Sequence, residues 1–248
     1  MSDYLLLGAI GFVAQLVDGA LGMAFGVISN SALLTVGVLP AQASAIVHTA
    51  EVFTTAGSAA SHIYHRNVEW RLVLRLGVPG VVGAGLGAWV LSNIDSRVGR
   101  PVIAAYLLVM GVLILVRTMR GISPRPAPAR WTPALGLGGG FLDASGGGGW
   151  GPLVSSTLIG SGHTPRIVIG SVSTTEFFVT LAAATTFFIE LGVSPIYELA
   201  ALVVGGLIAA PFGGWMAKHV KARVLMTLVG VIVILLAVFQ LARVFGLT

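Results

Sequence analysis

Four acidic residues and one histidine lie inside apolar stretches of the chain, where ionisable side chains are rare. Asp18 and Asp143 each begin a glycine-rich run, and Glu51 and Glu176 each follow a proline by 11 residues. A carboxylate at membrane depth is costly, so each of the four is a candidate for function. His48 precedes Glu51 by about one helical turn, on the same face, and such a pair can exchange a proton near neutral pH. A hydrogen bond that ties two helices together explains the pair equally well.

The glycine-rich runs after the two aspartates interrupt apolar segments. The second reads Asp-Ala-Ser-Gly-Gly-Gly-Gly-Trp-Gly over residues 143–151, and the first, over 18–26, has glycines at matching places. Glycine weakens a helix, but it lets the backbone turn and expose bare N–H groups. Half-helix N-termini add positive dipole ends, so the natural ligand of such a break is a small anion. In the simpler interpretation the aspartates cap the next half-helix, and glycines such as Gly83 and Gly87 serve helix packing.

Neutral donors on and after the breaks complete a predicted anion site. Hydroxyl and amide groups suit sulfonate oxygens, although Ser and Thr in membrane helices also bond to their own helix carbonyls. The predicted substrate-binding residues are Gly19, Gly22, Gly26, Asn30, Ser31, Thr49, Gly147, Gly148, Gly149, Gly151, Ser156, Thr157, Ser173 and Thr174. The predicted coupling or gating residues are Asp18, His48, Glu51, Asp143 and Glu176. We predict no catalytic residue, no metal site and no cofactor.

The composition indicates that these residues act within a membrane. The 248 residues are 56% hydrophobic and 9% charged, with a mean hydropathy of +0.95; a soluble domain carries about a quarter charged residues. We therefore predict an all-α polytopic membrane protein. The net charge of +5 comes without a basic run interleaved with aromatics, so nucleic acid is not an expected partner. The chain has no cysteine, which excludes disulfides and thiolate catalysis.

The sequence matches itself at an offset of 125 residues. Residues 9–63 are identical to residues 134–188 at 15 of 55 positions, and the match continues at an offset of 126, where Arg117 corresponds to Arg243. The chain is therefore a tandem duplication. We divide it into a first transmembrane repeat (1–117), a Pro/Arg-rich linker (118–132) and a second transmembrane repeat (133–248).

Each repeat holds four apolar segments, of which the first is long and broken and the others suit single spanning helices. If the broken segment crosses the membrane once, eight of the 14 Lys and Arg lie on one side of the membrane and six on the other. If it enters and returns on the same side, eleven lie on one side and three on the other. The positive-inside rule favours the second arrangement, with both termini outside the cytoplasm. The expected fold is two inverted repeats of about five helices each, a broken or re-entrant pair plus three spanning helices, giving 8–10 membrane segments. The predicted segments are 4–38, 41–64, 72–93, 98–116, 134–163, 166–189, 196–217 and 223–245.

At the breaks the sequence resembles the TauE/SafE sulfite exporter family of membrane transporters. The likeness lies in the duplicated Asp-x-x-x-Gly-x-x-x-Gly loop, the serine five residues after it (Ser31 and Ser156), and the proline-to-glutamate spacing of the next segment. The resemblance implies export or uptake of a small sulfur-containing anion such as sulfite or a sulfonate. Paired helix breaks in inverted repeats are also the best sequence pointer to a transporter's binding site. We therefore predict a secondary anion transporter that works by alternating access.

Two alternatives remain open at this point. The membrane carboxylates could serve a cation- or proton-coupled transporter or channel. Less favoured is an intramembrane serine protease with Ser145 as nucleophile, since Asp143-Ala-Ser-Gly146 is close to a G-x-S-G loop while Ala20 stands at the matching position of the first repeat. No Walker A motif occurs, so we predict a gradient-driven protein that is not an enzyme. The expected partners are the small anion and the lipid bilayer, and the sequence leaves open whether the chain forms a homo-oligomer.

Overall fold

The protein is described from a computed structural model, which covers residues 2–21, 23–120, 129–192 and 196–246. The secondary structure of these residues is entirely helical. A single π-helical turn, Gly151–Ser155, leads into α7. The α-helices are α1 Ser2–Leu21, α2 Phe25–Thr35, α3 Pro40–Tyr64, α4 Trp70–Asn93, α5 Ser96–Arg120, α6 Thr132–Gly146, α7 Ser156–Gly160, α8 Pro165–Leu191, α9 Ile196–His219 and α10 Ala222–Val244.

The six long segments predicted to span the membrane agree with the observed helices to within a few residues. Local chemistry explains the sharpest boundaries: Pro40 and Pro165 occupy the first positions of α3 and α8, where a missing N–H costs nothing. Five described helices, α1, α4, α5, α8 and α10, are each long and apolar enough to cross a membrane. α3 is equally long, but its polar face lowers its hydropathy. These features confirm an all-α polytopic membrane protein.

Equivalent helices of the two repeats run antiparallel where they pack together. In the α5–α10 pair, Gly111 lies against Ile234 while Leu115, further along α5, lies against Gly230, earlier in α10. In the α3–α8 pair, the Asn67 carbonyl, just after α3, meets Gly170 near the start of α8. In inverted repeats the two-fold axis lies in the plane of the membrane, so equivalent helices that pack across it run in opposite directions. The antiparallel packing of these pairs is therefore that of inverted repeats.

The first broken segment turns back on itself. α1 runs parallel to α9, since the rings of Tyr4 and Tyr197 are 6.1 Å apart and Gly206 lies beside Gln15. α2 runs parallel to α10: the Gln240 amide donates to the Ser31 carbonyl at 3.1 Å, and Arg243 donates to the carbonyl at the end of α2. Because only two residues join the long helices α9 and α10, these two helices run in opposite directions. α1 and α2, which are parallel to them, therefore also point in opposite directions and form a re-entrant pair.

Small residues allow α4 to pack closely against α6. A Cβ atom at Gly83 would overlap the Leu137 carbonyl, and one at Gly87 would overlap the Phe141 carbonyl. The interpretation of these two glycines as packing residues is confirmed. The equivalent α1–α9 pair has the same construction, with Gly205 against the Gly8 carbonyl.

We expect Gly83→Ala to lower the melting temperature of the detergent-purified protein by several degrees. Overpacking a close contact costs about 1–3 kcal/mol, and about 1 kcal/mol shifts the melting temperature by about 2–4 °C in a domain of this size. Gly138→Ala, on the partner helix α6, is the matched control because a Cβ there meets no atom within 4 Å. Equal melting temperatures for the two variants would contradict the close packing.

Candidate functional site

Both predicted helix breaks are present. α1 ends at Leu21 and α2 begins at Phe25, while α6 ends at Gly146 and helical structure resumes at Trp150. The second break passes through three glycines with positive φ (73°, 131° and 150° for residues 147, 148 and 149), a conformation that favours glycine. In the first break the residue with a positive φ is Ala24, at 118°, where the side chain makes this backbone conformation strained. Gly22, predicted to bind substrate, lies outside the described residues.

The two breaks meet in the interior of the protein. Gly26 and Gly148 touch through their backbones, so closely that a Cβ atom on either would overlap the backbone of the other. A Cβ atom on Gly147 would overlap the amide of Asn30, whose Nδ2 donates to the Gly146 carbonyl at 3.2 Å. Tyr106 of α5 donates its hydroxyl to the Gly148 carbonyl at 3.0 Å. Residues more than one hundred positions apart therefore form a single site.

Each aspartate spans its own break with a hydrogen bond. Asp143 Oδ1 accepts from the backbone N–H of Trp150 at 2.8 Å, and Asp18 Oδ1 accepts from that of Phe25 at 3.4 Å. Both bonds join the last turn of one half-helix to the first residue of the next. The capping interpretation of the two aspartates is therefore confirmed, since a carboxylate satisfies an exposed N–H at a helix start.

His48, Glu51 and Asp143 form a buried cluster beside the contact between the breaks. Their exposed fractions are 0, 4 and 2%, and one ligand atom from each lies within 4.8 Å of the others. The sequence pairs His48 with Glu51, whereas in the structure His48 Nε2 contacts Asp143 Oδ2 of the other repeat at 3.2 Å. The histidine thus joins the two repeats. The sequence of α3 alone could not predict this contact, because its partner lies in the other repeat.

The partners of His48 fix where its protons are. Nδ1 lies 2.8 Å from the Ser44 carbonyl, which can only accept, so Nδ1 carries a hydrogen. The 3.2 Å contact between Nε2 and Asp143 Oδ2 then requires a second proton, on the imidazole or on the carboxyl. Either way, one proton is shared between α3 of the first repeat and α6 of the second.

The other predicted coupling residues surround this cluster. Glu51 interacts electrostatically with Asp18, Asp143 and Glu176, and Glu176 with both aspartates. Glu51 Oε2 is buried without a hydrogen-bond partner, and Oε1 lies 3.0 Å from the position of a Cβ on Gly26. The five residues predicted for coupling or gating are therefore brought together around the breaks.

The structure also brings some of the predicted neutral donors to the breaks. The Ser31 hydroxyl oxygen on α2 is buried without a hydrogen-bond partner, and so is the side-chain Oδ1 of Asn30, which can only accept a hydrogen bond. A cavity of about 520 Å³ next to the first break is lined by Asp18, Gly19 and Ser173, among other residues. These groups are polar, partly unsatisfied and next to the glycines, as a site for a small polar ligand requires.

Several predicted binding residues have other structural roles. The hydroxyls of Thr49, Ser156, Thr157 and Thr174 each donate to a helix carbonyl four residues earlier, the alternative anticipated for membrane helices. Thr49 also lines a separate groove with Leu181 and Phe188, away from the breaks. The backbone of Gly151 begins the π-helical turn rather than the open part of the break.

Four side chains that hold the breaks in place were missed by sequence reasoning. Besides Tyr106, Ser44 donates to the Ala144 carbonyl at 2.8 Å, and Gln240 donates to the Ser31 carbonyl at 3.1 Å. Arg117 donates to the Pro152 carbonyl at 2.9 Å, an acceptor in the π-helical turn. Gln240 gave a usable signal, as a lone amide in an apolar segment. Tyr106 gave none, because an aromatic residue in a membrane helix is ordinary.

Inverted repeats whose broken helices meet inside an apolar helical bundle are typical of membrane transporters. The family described as "Sulfite exporter TauE/SafE" matches residues 7–239, and the chain belongs to this family. It is 41% identical over 244 residues to the probable membrane transporter protein YtnM of Bacillus subtilis (strain 168), across 95% of this chain and 81% of that protein. No solved structure matches the chain.

The expected membership of this family is therefore confirmed, and the chain is a multi-pass membrane transporter rather than an enzyme. The geometry at Ser145 agrees with this result. Its hydroxyl donates to the Phe141 carbonyl at 2.6 Å, within α6, as an ordinary helix serine does.

Proposed function

We propose that this protein is a secondary transporter for a small sulfur-containing anion, such as sulfite or a sulfonate, and that its two repeats alternate access. The observation that carries the proposal is the contact of Gly26 with Gly148, which places the helix breaks of oppositely oriented repeats at one point. The name of the family supports the class of substrate. Irregular backbone at membrane depth is tolerated where it is buried in protein or lines a cavity, and here it supplies polar groups to a ligand.

In this proposal the anion binds to backbone N–H groups of the breaks and to the hydroxyl of Ser31. In the present conformation the breaks touch, and Asp18 and Asp143 occupy the N–H groups of Phe25 and Trp150. The conformation with the breaks in contact is therefore the closed one, and movement of one repeat against the other frees donors for the anion. The termini lie outside the cytoplasm, as the eleven-to-three division of Lys and Arg favours.

A second component, coupling to protons, is supported by the proton shared between His48 and Asp143. Their contact joins one helix of each repeat, so relative movement of the repeats would break it. Separating this buried, hydrogen-bonded pair is costly, and the proton would then be bound or released with each cycle. Coupling to a divalent cation is the rival, because His48, Glu51 and Asp143 form a donor set that could hold one.

A thermal-shift screen of the purified protein tests the substrate class. We expect sulfite, thiosulfate or a small sulfonate to raise the melting temperature, since a ligand at about 100 times its Kd adds about 2.7 kcal/mol to stability. Chloride at the same ionic strength is the control for non-specific anion effects. Stabilisation by Zn²⁺ or Ni²⁺ and by none of the anions would replace the proposal with the cation alternative.

A further inference from the structure

A cavity of about 390 Å³ lies beside both helix breaks, separate from the cavity that contains Asp18. The first break contributes Ala20, Leu21 and Met23 to its wall, and the π-helical turn after the second break contributes Pro152. Among the described residues that line it, the charged ones are two arginines, Arg117 and Arg223. A cavity that lies between the first break and the turn after the second, and whose charged lining residues among those described are both arginines, has the polarity an anion requires.

The two arginines donate to backbone carbonyls, and no carboxylate among the described residues forms an ion pair with either of them. Arg117 donates one Nη1 hydrogen bond to the Pro152 carbonyl, and Arg223 donates to the carbonyls of Thr118 and Met119 at 3.2 Å. A guanidinium has five N–H donors in a planar fork that matches oxyanions, so these bonds leave donors for a ligand. Arg117 is half-buried and adjoins the second break, so it links the cavity to that break.

The neighbouring cavity has the opposite character. It measures about 520 Å³, and Asp18, Gln15 and Ser173 are among its lining residues. The two cavities share Ala20 and Leu21, at the end of α1. An anion approaching the first break therefore meets positive charge on one side of α1 and a carboxylate on the other.

A smaller cavity, of about 210 Å³, also has two arginines in its wall, of which one has its repeat counterpart in the larger cavity. Arg243, the repeat counterpart of Arg117, lines it together with Arg100 and with Leu34 of α2. Leu34 corresponds, at the offset of 125, to Ile159, which lines the larger cavity. Because the repeats are inverted, the two arginine cavities face opposite sides of the membrane.

We propose that the cavity lined by Arg117 and Arg223 is a vestibule through which small oxyanions reach the helix breaks from the arginine-rich side of the membrane. The inference rests on the proposed function, and it adds a second binding site that selects substrate by charge before the breaks. In the competing explanation the two arginines only satisfy carbonyls at helix ends and orient the protein in the membrane. The two explanations differ in what they predict for charged probes.

The natural absence of cysteine allows a direct test with single-cysteine variants. In Met226→Cys, the thiol would lie in the vestibule wall, where its thiolate attacks a methanethiosulfonate reagent, forming a disulfide and releasing methanesulfinate. With rates normalised to a free thiol in solution, we expect the anionic sulfonatoethyl reagent to react about tenfold faster than the cationic trimethylammonioethyl reagent. The preference should weaken when Arg117→Gln is added, disappear when Arg223→Gln is added as well, and be kept by Arg117→Lys. Ser58→Cys, in the cavity that contains Asp18, is the matched control and should favour the cationic reagent.

Equal normalised rates of the two reagents at Met226→Cys when both arginines are present, or a preference for the anionic reagent that survives removal of both arginines, would overturn the vestibule. A parallel transport assay in proteoliposomes separates this outcome from failure of the proposed function. There, Arg117→Gln should raise the KM for sulfite about tenfold from the arginine-rich side only, and Arg243→Gln should act only from the other side. If the wild-type protein moves no sulfite, thiosulfate or sulfonate, the proposed function is wrong, while the reagent rates still decide whether the cavity selects anions.

Discussion

Replacing Gly148 with alanine is expected to abolish anion transport while the protein still inserts and purifies. Gly148 has φ 131°, which L residues rarely adopt, and a Cβ there would overlap the backbone of Gly26 and Val27. The breaks could then no longer close against each other, and alternating access depends on that closure. We expect the rate of sulfite uptake by proteoliposomes, per folded protein, to fall by more than about tenfold, since strain and overlap of this kind cost about 1–3 kcal/mol each.

Gly162→Ala provides the control for backbone strain alone. Gly162 also has a positive φ, 85°, but a Cβ there meets no atom within 4 Å. It should therefore lose some stability and keep its transport rate. If Gly148→Ala transports sulfite as fast as the wild type, the contact between the breaks is not part of the transport cycle.

Asp143→Asn is expected to uncouple anion movement from proton movement. The asparagine still offers Oδ1 to the backbone N–H of Trp150, so the second break keeps its cap. It cannot share a proton with His48 as the carboxyl does. We expect proton uptake during sulfite transport, followed with a pH-sensitive dye inside proteoliposomes, to fall about tenfold. A tenfold fall corresponds to a free-energy change of ~1.4 kcal/mol, which is smaller than the cost of disrupting a buried pair such as His48 and Asp143.

Asp18→Asn is the matched variant in the first repeat. Asp18 Oδ1 accepts a hydrogen bond from the Phe25 N–H at 3.4 Å, and the repeat counterpart of His48 is Ser173, whose hydroxyl neither gains nor loses a proton near neutral pH. The change should slow transport through its effect on the first break but preserve the ratio of protons to anions. Equal loss of coupling in both variants would show that His48 and Asp143 have no special role.

The main features of the fold could be predicted because they depend on local chemistry. Pro40 and Pro165 start their helices through properties of proline alone, and the re-entrant first segment followed from where arginines lie relative to apolar segments. The Asp-to-amide bonds across the breaks were also foreseeable, since both partners lie within seven residues of each other. These inferences need only residues close together in the sequence, the positions of the charges along the chain and the internal repeat.

Contacts between the repeats could not be predicted in the same way. Repeat symmetry pairs Gly26 with Gly151 and Gly148 with Met23, whereas the structure places Gly26 against Gly148. A self-alignment matches equivalent positions and does not say which positions of one repeat touch the other, so it cannot reveal this contact. The contact of His48 with Asp143 and the bonds from Tyr106 and Arg117 to the second break likewise depend on how α3 and α5 pack.

The position of a bound anion tests the central claim most directly. Selenite resembles sulfite in shape and charge, and selenium scatters X-rays anomalously, so crystals grown with selenite would locate the ligand. We predict a selenium peak inside the membrane, in contact with residues 23–26 or 147–149. Selenium found only at the aqueous faces, in a protein shown to transport sulfite, would contradict the account.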